Sequence, residues 1–511
     1  MENIVLVVDC GTQSMRTMLI DSAGNILIKK QEKYGYLENE NRDFMEFDVN
    51  DMFYLLVLMI RQIKNEAEDL FERIEAVTIT TQRDTIVLVD RNGEVLRPAI
   101  SWMDRRKATE YGKVPFPYAK AFQAVGMTDN VRNYMEDSRF NWIKENEPEI
   151  WKRTYKYLLL PQYLNYRFIG EYVESDAGTV GHIPFDYKAR AYDSKIGIKR
   201  QIFQIELDKL ANVKPTTSVL GHITKEMADL TGLKEGLPLI ASGSDKACET
   251  VGVGCTEEGS ASVSLGSQVT IQVTTARYYE LTKFVPPFDS IIPDMFNPEM
   301  ILYRGFWLVT WFINEFGYKE MSFSRENEED IYDIMDEKLE EIPAGSDGLI
   351  LQPYWGQDIL RPEAKGSILG FNDRHTRIHI YRAIIEGIGY TLKEGIEKIE
   401  KVSKVPVEKI ALSGGGSNSD VICQILCDII AKPCYAIQTH EASGLGAAMA
   451  AFVGLEKFSD FSEAKAAMVR ETRHFIPNAD NSVKYEQLYA VYRKIYKNVK
   501  KLYRELDEIN L

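Results

Sequence analysis

An apolar strand that ends in a polar glycine turn and then reverses direction occurs twice in this chain. The first copy spans residues 4–21, with Asp9 at the end of the leading strand and hydroxyl side chains in the turn. The second copy spans residues 261–273 and turns at Gly266 and Ser267. Two halves that share this order of strand, turn and strand indicate an internal duplication with a cleft between the halves.

The remaining pattern predicts an α/β fold, because strands alternate with helices along most of the chain. Residues 376–402 have the apolar spacing of one long helix, and a strand and a helix over residues 420–431 follow it. Residues 107–235 are predicted to be mainly helical. We expect two domains, 1–254 and 255–511, each a mixed sheet flanked by helices, with the active site in the interdomain cleft.

Composition excludes several classes of function. The 511 residues carry a net charge of -15, which argues against a nucleic-acid partner or an anionic membrane surface. The longest apolar runs, residues 54–60 and 306–313, are too short to span a bilayer. Six thinly spread cysteines do not form a disulfide framework, and the N-terminus lacks a basic region typical of a signal peptide. We therefore expect a cytoplasmic protein without a membrane partner.

Three glycine turns could converge on one nucleotide. The turns at Gly11 and Gly266 would clamp phosphates from opposite domains, since glycine lets backbone amides approach an anion closely. The third turn begins at Gly414, opens a helix and would hold the nucleoside end or the α-phosphate. Asp9 would orient a magnesium ion, mostly through water. Each turn is also compatible with an ordinary hairpin, and the chain contains no P-loop sequence.

These turns and several further stretches resemble the FGGY carbohydrate kinases of the actin-like ATPase superfamily, over nearly the whole chain. The resemblance is carried by Asp9, Gly11, Thr12, Ser14 and Arg16; by Gly243 to Asp245; by Gly266 and Ser267; by residues 366–370 and 379–386; by Gly414 to Gly416 with Gln424 and Asp428; and by Glu441 with residues 444–448.

The resemblance implies two ribonuclease H-like domains and ATP-dependent phosphorylation of a primary hydroxyl on a sugar or polyol. Asp245 would be the general base, although alone it would also fit a loop-capping aspartate. ATP and Mg²⁺ are the expected cofactors, with Asp9 at the metal. The expected ATP-binding residues are Gly11, Thr12, Gln13, Ser14, Arg16, Gly266, Ser267, Gly414, Gly415, Gly416 and Ser419.

Substrate choice is expected to lie in the first half. Arg83 and Asp84 would serve adjacent hydroxyls, one as donor and one as acceptor, and resemble a segment of glycerol kinases. Trp102 and Tyr134 fall where those kinases place aromatic substrate contacts, and core packing is the alternative for both. The expected substrate-binding residues are Gln82, Arg83, Asp84, Trp102, Tyr134, Asp245 and Lys246.

Departures from the family pattern leave the acceptor open. Lys246 stands where glycerol kinases carry Gln, Gln13 stands where Thr or Ser is usual, and Arg139 replaces a Lys. The Met-His-Gly segment of xylulose kinases is absent. We expect a ketopentose such as xylulose, with glycerol or a tetritol as the alternative. A homodimer is what the family suggests. An actin-like ATP-binding module without sugar phosphorylation, or a sugar sensor derived from a kinase, are the competing hypotheses.

Overall fold

The computed structural model describes residues 3–283, 285–356 and 361–509. The chain divides into two compact units that each draw on separate parts of the sequence. Unit 1 contains Met1–Gly252, Phe288–Phe296 and Glu441–Met468. Unit 2 contains Val253–Pro287, Asn297–His440 and Val469–Leu511.

Strands and helices alternate in both units. The strands are β1 Ile4–Cys10, β2 Ser14–Asp21, β3 Ile26–Lys33, β4 Glu46–Phe47, β5 Ile74–Thr81, β6 Ile86–Val89, β7 Ala99–Ile100, β8 Lys156–Leu159, β9 Val173–Ser175, β10 Phe185–Asp186, β11 Ala191–Tyr192, β12 Asn212–Lys214, β13 Val219–His222, β14 Pro238–Ile240, β15 Ser260–Leu265, β16 Val269–Val273, β17 Phe288–Asp289, β18 Phe296–Asn297, β19 Glu299–Leu302, β20 Ile350–Gln352, β21 Ser367–Leu369, β22 Lys409–Ser413, β23 Cys434–Ile437 and β24 Glu471–Phe475.

The helices are α1 Val49–Glu66, α2 Glu68–Phe71, α3 Phe116–Ala124, α4 Thr128–Glu136, α5 Arg139–Asn146, α6 Pro148–Arg153, α7 Leu160–Ile169, α8 Ile198–Ile202, α9 Lys225–Thr231, α10 Asp245–Gly252, α11 Trp307–Phe316, α12 Tyr318–Asn327, α13 Ile331–Glu340, α14 Arg377–Ser403, α15 Asp420–Ile430, α16 Ala442–Gly454, α17 Phe461–Met468 and α18 Ala479–Glu508. Short 3₁₀ turns occupy Leu207–Lys209, Ser346–Gly348 and Gly415–Asn418.

Unit 1 is built on a six-stranded mixed sheet in the order β13-β14-β5-β1-β2-β3. The strands β14, β5 and β1 run parallel, so their carboxyl ends meet at one edge of the sheet. All seven residues of β1 are buried, as expected for a central strand covered on both faces. Asp9 lies near the carboxyl end of β1, and the segments that follow β5 and β14 carry Gln82 to Asp84 and the start of α10, which places the expected chemistry at that edge.

The region 107–235 contains more strand than predicted. Its helices are joined by β8 to β13, of which β8 completes a four-stranded sheet with β4, β7 and β6. Strand β13 pairs antiparallel with β14 at the border of the main sheet, and β9 pairs with β12. These strands are two to four residues long and, except for the local β10–β11 hairpin, pair with segments farther along the chain, so local periodicity does not reveal them.

Helix α16 comes from the second half of the sequence and packs in unit 1 against α10. The two helices approach through Gly252 and Gly446: a Cβ on Gly252 would overlap the Ala442 carbonyl, and a Cβ on Gly446 would overlap the Cys248 carbonyl. Any larger residue at either glycine would separate the helices. Because α10 begins at Asp245, this contact helps to position that residue.

Unit 2 repeats the strand arrangement of unit 1. Its six-stranded sheet has the order β19-β16-β15-β22-β23-β24. Strand β15 pairs antiparallel with β16 and parallel with β22, just as β1 pairs antiparallel with β2 and parallel with β5. Helices α14, α15 and α18 supply much of the core, including Tyr390, Tyr489 and Tyr492. Among the described residues, no helix combines the length and apolarity needed to cross a bilayer.

Candidate active site

Asp9 is the last residue but one of the central strand β1 of unit 1 and is 4% exposed. Its Oδ2 lies 3.7 Å from Arg16 Nη1, while Arg16 Nε lies 3.1 Å from Glu441 Oε2 at the start of α16. Burial raises the pKa of Asp9 to about 7 against the opposing charge of Arg16, and the carboxylates of Asp245, Glu441 and Glu249 add to the rise. The local surplus of negative charge is one that a divalent cation would neutralise.

The hairpin between β1 and β2 is closed by the Gly11 N–H, which donates to the Ser14 carbonyl over 3.1 Å. Within the described chain, the N–H groups of Thr12 and Gln13 make no hydrogen bond, so they are the amides at the tip. The Thr12 hydroxyl accepts from Trp102 Nε1 at 3.0 Å, which leaves its own hydrogen to donate elsewhere. The turn therefore offers several donors to an anion.

Two tyrosine hydroxyls hold this hairpin by hydrogen bonds to its backbone carbonyls. The Tyr34 hydroxyl donates to the Gly11 carbonyl over 2.7 Å, and the Tyr36 hydroxyl donates to the Thr12 carbonyl over 2.8 Å. Gln82 Nε2 in turn donates to the Tyr34 hydroxyl at 3.0 Å. Gln82 is 2% exposed, so in this structure its side chain braces the hairpin from within the protein.

Asp245 begins α10 and is partly exposed. Its Oδ1 accepts from the Lys246 N–H at 2.8 Å, and its carbonyl accepts from Ser443 Oγ of α16 at 3.2 Å. Burial raises the pKa of Asp245, whereas the positive charges of Lys246 and Arg83 lower it and Glu249 adds to the rise. Lys246 Nζ binds Glu249 Oε2 at 2.7 Å. A carboxylate with a raised pKa is a better proton acceptor than an ordinary aspartate.

Arg83 links the end of β5 to the loop that precedes Asp245. Its Nε donates to Ser244 Oγ over 3.1 Å, and its guanidinium lies 4.6 Å from the ring centre of Phe288. The segment carrying Phe288 is held within unit 1 by Arg190, whose Nε binds Asp289 Oδ1 at 2.9 Å. The guanidinium of Arg83 is thereby fixed on the same edge of the sheet as Asp245.

Asp84 adopts a left-handed backbone conformation with φ of 51°. Its carboxylate binds Arg139 Nη1 at 2.9 Å and His182 Nδ1 at 2.6 Å, both through Oδ2. Burial raises the pKa of Asp84, but the charges of His182 and Arg139 and the hydrogen bonds from His182 outweigh burial and bring the pKa down to about 2. Tyr134 stands beside this cluster, with ring centres of Tyr134 and His182 6.1 Å apart.

The two expected turns of unit 2 lie together. A Cβ on Gly414, whose φ is 77°, would come within 3.1 Å of the Gly266 nitrogen. The carbonyls of Gly266 and Ser267 accept from the N–H groups of Phe306 and Trp307 at the start of α11, which anchors the turn to that helix. A 3₁₀ turn separates Gly414 from α15, and the Ser419 hydroxyl caps α15 by accepting from Ile422 N at 3.0 Å.

The structure thus brings the expected site residues into two groups. Unit 1 gathers Asp9, Gly11, Thr12, Gln13, Ser14, Arg16, Gln82, Arg83, Asp84, Trp102, Tyr134, Asp245 and Lys246 around one sheet edge. Unit 2 gathers Gly266, Ser267, Gly414, Gly415, Gly416 and Ser419. No cluster of three or more His, Cys, Asp or Glu side chains suited to a metal ion occurs in residues 3–283, 285–356 and 361–509. A largely hydrated Mg²⁺ bound through one carboxylate does not require such a cluster.

Sequence reasoning missed His182, Ser443 and the Arg190–Asp289 pair. His182 and Ser443 are 98 and 198 residues from the groups they bind, and no local spacing connects them to the site. Arg139 departs from a family pattern in the sequence, but its contact with Asp84 joins residues 55 positions apart. All of these contacts depend on tertiary structure.

Comparison with known proteins gives a consistent result. Residues 4–252 match the N-terminal domain, and residues 261–455 the C-terminal domain, of the FGGY family of carbohydrate kinases. The chain is 24% identical over 510 residues to a xylulose kinase of Lactococcus lactis, covering 99% of both chains. A xylulose kinase of Bacillus subtilis is 26% identical, with 98% of this chain and 97% of the relative covered.

Solved structures agree with the fold. The crystal structure of xylulose kinase from Rhodospirillum rubrum superposes with a TM-score of 0.82 at 21% identity, covering 98% of this chain and all of the other. The predicted two-domain α/β class is confirmed by this likeness, and the predicted family is confirmed by the matches to both FGGY domain models.

Proposed function

The chain belongs to the FGGY family of carbohydrate kinases, and on that premise we propose that it transfers the γ-phosphoryl group of ATP to a primary hydroxyl of a ketopentose such as xylulose. Its activity as an ATP-dependent sugar kinase follows from the family. The choice of a ketopentose is supported by the relatives named xylulose kinase. The structural observation that carries the proposal is the placement of Asp245 and Arg83 on one sheet edge, joined through Ser244.

Asp245 is the proposed general base. Its carboxylate accepts the proton of the attacking hydroxyl as the oxygen–phosphorus bond forms. Two helices position it, because the Ser443 hydroxyl holds its carbonyl and α16 packs tightly on α10. Arg83 donates to a neighbouring substrate oxygen and orients the hydroxyl toward Asp245. Positioning of this kind provides much of the rate enhancement in phosphoryl transfer.

Asp9 is the residue proposed to hold Mg²⁺, through water. The fit rests on its raised pKa, because a carboxylate that burial and acidic neighbours push toward protonation gains when a cation replaces the proton. The ion would supply charge neutralisation at the phosphates. The tip amides of Thr12 and Gln13, together with the turns at Gly266 and Gly414 of unit 2, are the proposed phosphate and nucleotide contacts.

We also propose that the protein is a homodimer in a reducing cytoplasm. The resemblance to the family supports the dimer, and light scattering on the purified protein would test it. The six cysteines are free, buried thiols, which suits a reducing compartment.

A coupled assay of ADP release tests the kinase proposal and its substrate. The acceptors should include D-xylulose, D-ribulose, erythritol, glycerol and gluconate, with ATP alone as the blank. We expect the highest kcat/KM with a ketopentose. ATP turnover that no acceptor on this panel increases would contradict the proposal and favour an actin-like module. A higher kcat/KM with glycerol or erythritol would correct the substrate and leave the reaction class intact.

A further inference from the structure

The carboxylate of Asp84, expected to accept a substrate hydroxyl, is already engaged by the protein. Its Oδ1 accepts from the His182 N–H at 2.8 Å. Its Oδ2 accepts from Arg139 Nη1 at 2.9 Å and from His182 Nδ1 at 2.6 Å. A carboxylate has about four acceptor sites, and three are filled here. Asp84 is therefore poorly placed to be the main acceptor for a sugar.

The same contacts hold His182 with one edge of its imidazole ring against Asp84 and the other edge toward solvent. Its main chain and its Nδ1 are both tied to Asp84, and its ring lies beside Phe203 and Tyr134 with centre separations of 5.8 and 6.1 Å. The side chain is nevertheless 27% exposed. In the part of the chain that the structure describes, no group bonds to Nε2. The imidazole of His182 is therefore held through Nδ1, while Nε2 is accessible and can bind a ligand.

The position of His182 places it beside the reacting end of the site. Asp84 directly follows Arg83, and Arg83 Nε reaches Ser244, the neighbour of Asp245. Gly181 packs so closely on Asp84 that a Cβ there would lie 2.8 Å from Asp84 Oδ1. The loop carrying His182 is thus seated against the end of β5, on the same sheet edge as Asp245.

We propose that His182 determines acceptor specificity, with its Nε2 binding a substrate hydroxyl other than the one that is phosphorylated, and that Asp84 and Arg139 position the imidazole. This inference rests on the proposed function. Because Nδ1 is occupied by Asp84, Nε2 is the ring nitrogen that remains to bind a substrate hydroxyl.

Two substitutions separate the proposed role from a purely structural one. His182→Asn retains a donor near the position of Nδ1 and can keep the bond to Asp84, but it has no group at Nε2. His182→Gln places its amide near Nε2 and gives up the bond to Asp84. Loss of one hydrogen bond to substrate should raise the KM for D-xylulose about tenfold in His182→Asn. The increase in His182→Gln should be smaller, and kcat should change little in both.

The opposite order of effects would overturn the proposal, because a residue that merely holds Asp84 is damaged more by His182→Gln. Deoxy analogues of D-xylulose provide an independent measure. The wild-type enzyme should lose affinity for the analogue lacking the contacted hydroxyl, whereas His182→Asn should bind that analogue and D-xylulose equally well. Discrimination that persists unchanged in His182→Asn for every analogue would also reject the assignment.

The result distinguishes this inference from the kinase proposal on which it rests. Wild-type turnover of D-xylulose with an unchanged KM in His182→Asn refutes the role of His182 and leaves the kinase assignment standing. If the wild-type protein neither phosphorylates any sugar of the panel nor shows a change in tryptophan fluorescence with it, both proposals fail. Thermal unfolding of each variant shows whether a loss of activity comes from loss of the fold.

Discussion

The indole N–H of Trp102 donates to Thr12 Oγ1 over 3.0 Å, which joins the expected substrate wall to the expected phosphate turn. By accepting this bond, the Thr12 hydroxyl keeps its own hydrogen for donation to a group other than the indole. We therefore expect Trp102 to affect the binding of both the sugar and ATP.

Substitutions of Trp102 can separate its effect on ATP binding from its effect on sugar binding. Trp102→Phe keeps an aromatic face but loses the N–H, so we expect the KM for ATP to rise about three- to tenfold with the KM for sugar nearly unchanged. Trp102→Ala removes the face as well and should raise both constants. Initial rates with each substrate varied in turn provide the measurement. A Trp102→Phe enzyme that is impaired toward sugar alone would contradict this division.

Asp245→Asn tests the general base. The amide preserves size and helix position but cannot accept the hydroxyl proton, and we expect kcat to fall by about a thousandfold. Binding of ATP should persist, as measured by calorimetry with a non-hydrolysable analogue. Asp9→Asn is the informative comparison, since it should weaken magnesium-dependent nucleotide binding as well. Full activity in Asp245→Asn would refute the assignment.

Lys246 should set the acid limb of the pH–rate profile. Among the charges near Asp245, that of Lys246 opposes most strongly the rise in pKa caused by burial. The base works when deprotonated, so activity falls as the pH drops through the pKa of Asp245 in the folded enzyme. Lys246→Met removes the opposing charge and should move this limb to higher pH.

Lys246→Arg is the matched control, because it retains the charge and should leave the limb in place. The measurement is log kcat/KM for sugar against pH, with nucleotide saturating. A limb that stays fixed in Lys246→Met, or that moves to lower pH, would show that the cation acts on something other than Asp245.

The glycine turn of unit 2 offers a pair of adjacent substitutions. A Cβ at Gly416 would overlap the Phe306 ring, whereas a Cβ at Gly415 would meet nothing within 4 Å. We expect Gly416→Ala to lower the unfolding temperature. Gly415→Ala should keep wild-type stability yet raise the KM for ATP, because its methyl group projects from the exposed side of the turn. An unchanged KM for ATP in Gly415→Ala would argue against nucleotide binding there.

The meeting of Asp9, Arg83 and Asp245 at one sheet edge could be predicted from the sequence because each lies at or just after the end of a strand. Asp9, Arg83 and Asp245 each come after an apolar run, and parallel strands bring their ends together. His182 and Arg139 were not predictable in the same way, since they reach Asp84 across 98 and 55 residues from a loop and a helix start. Gln82 looked like a substrate residue from its neighbours, and its burial beneath the hairpin emerges only from tertiary packing.

The close contact of Gly252 with Gly446 has a consequence for how such genes can recombine. Unit 1 depends on α16, whose Gly444 also faces Met18 and Val7 of the first sheet. In a chimera of the first 254 residues of this protein and the second half of a relative, α16 of the relative would have to pack against β1, β2 and α10 of this protein. Successful exchange would have to carry the segment Glu441–Met468 along with the first half. In recombination these two distant stretches of sequence therefore behave as one unit.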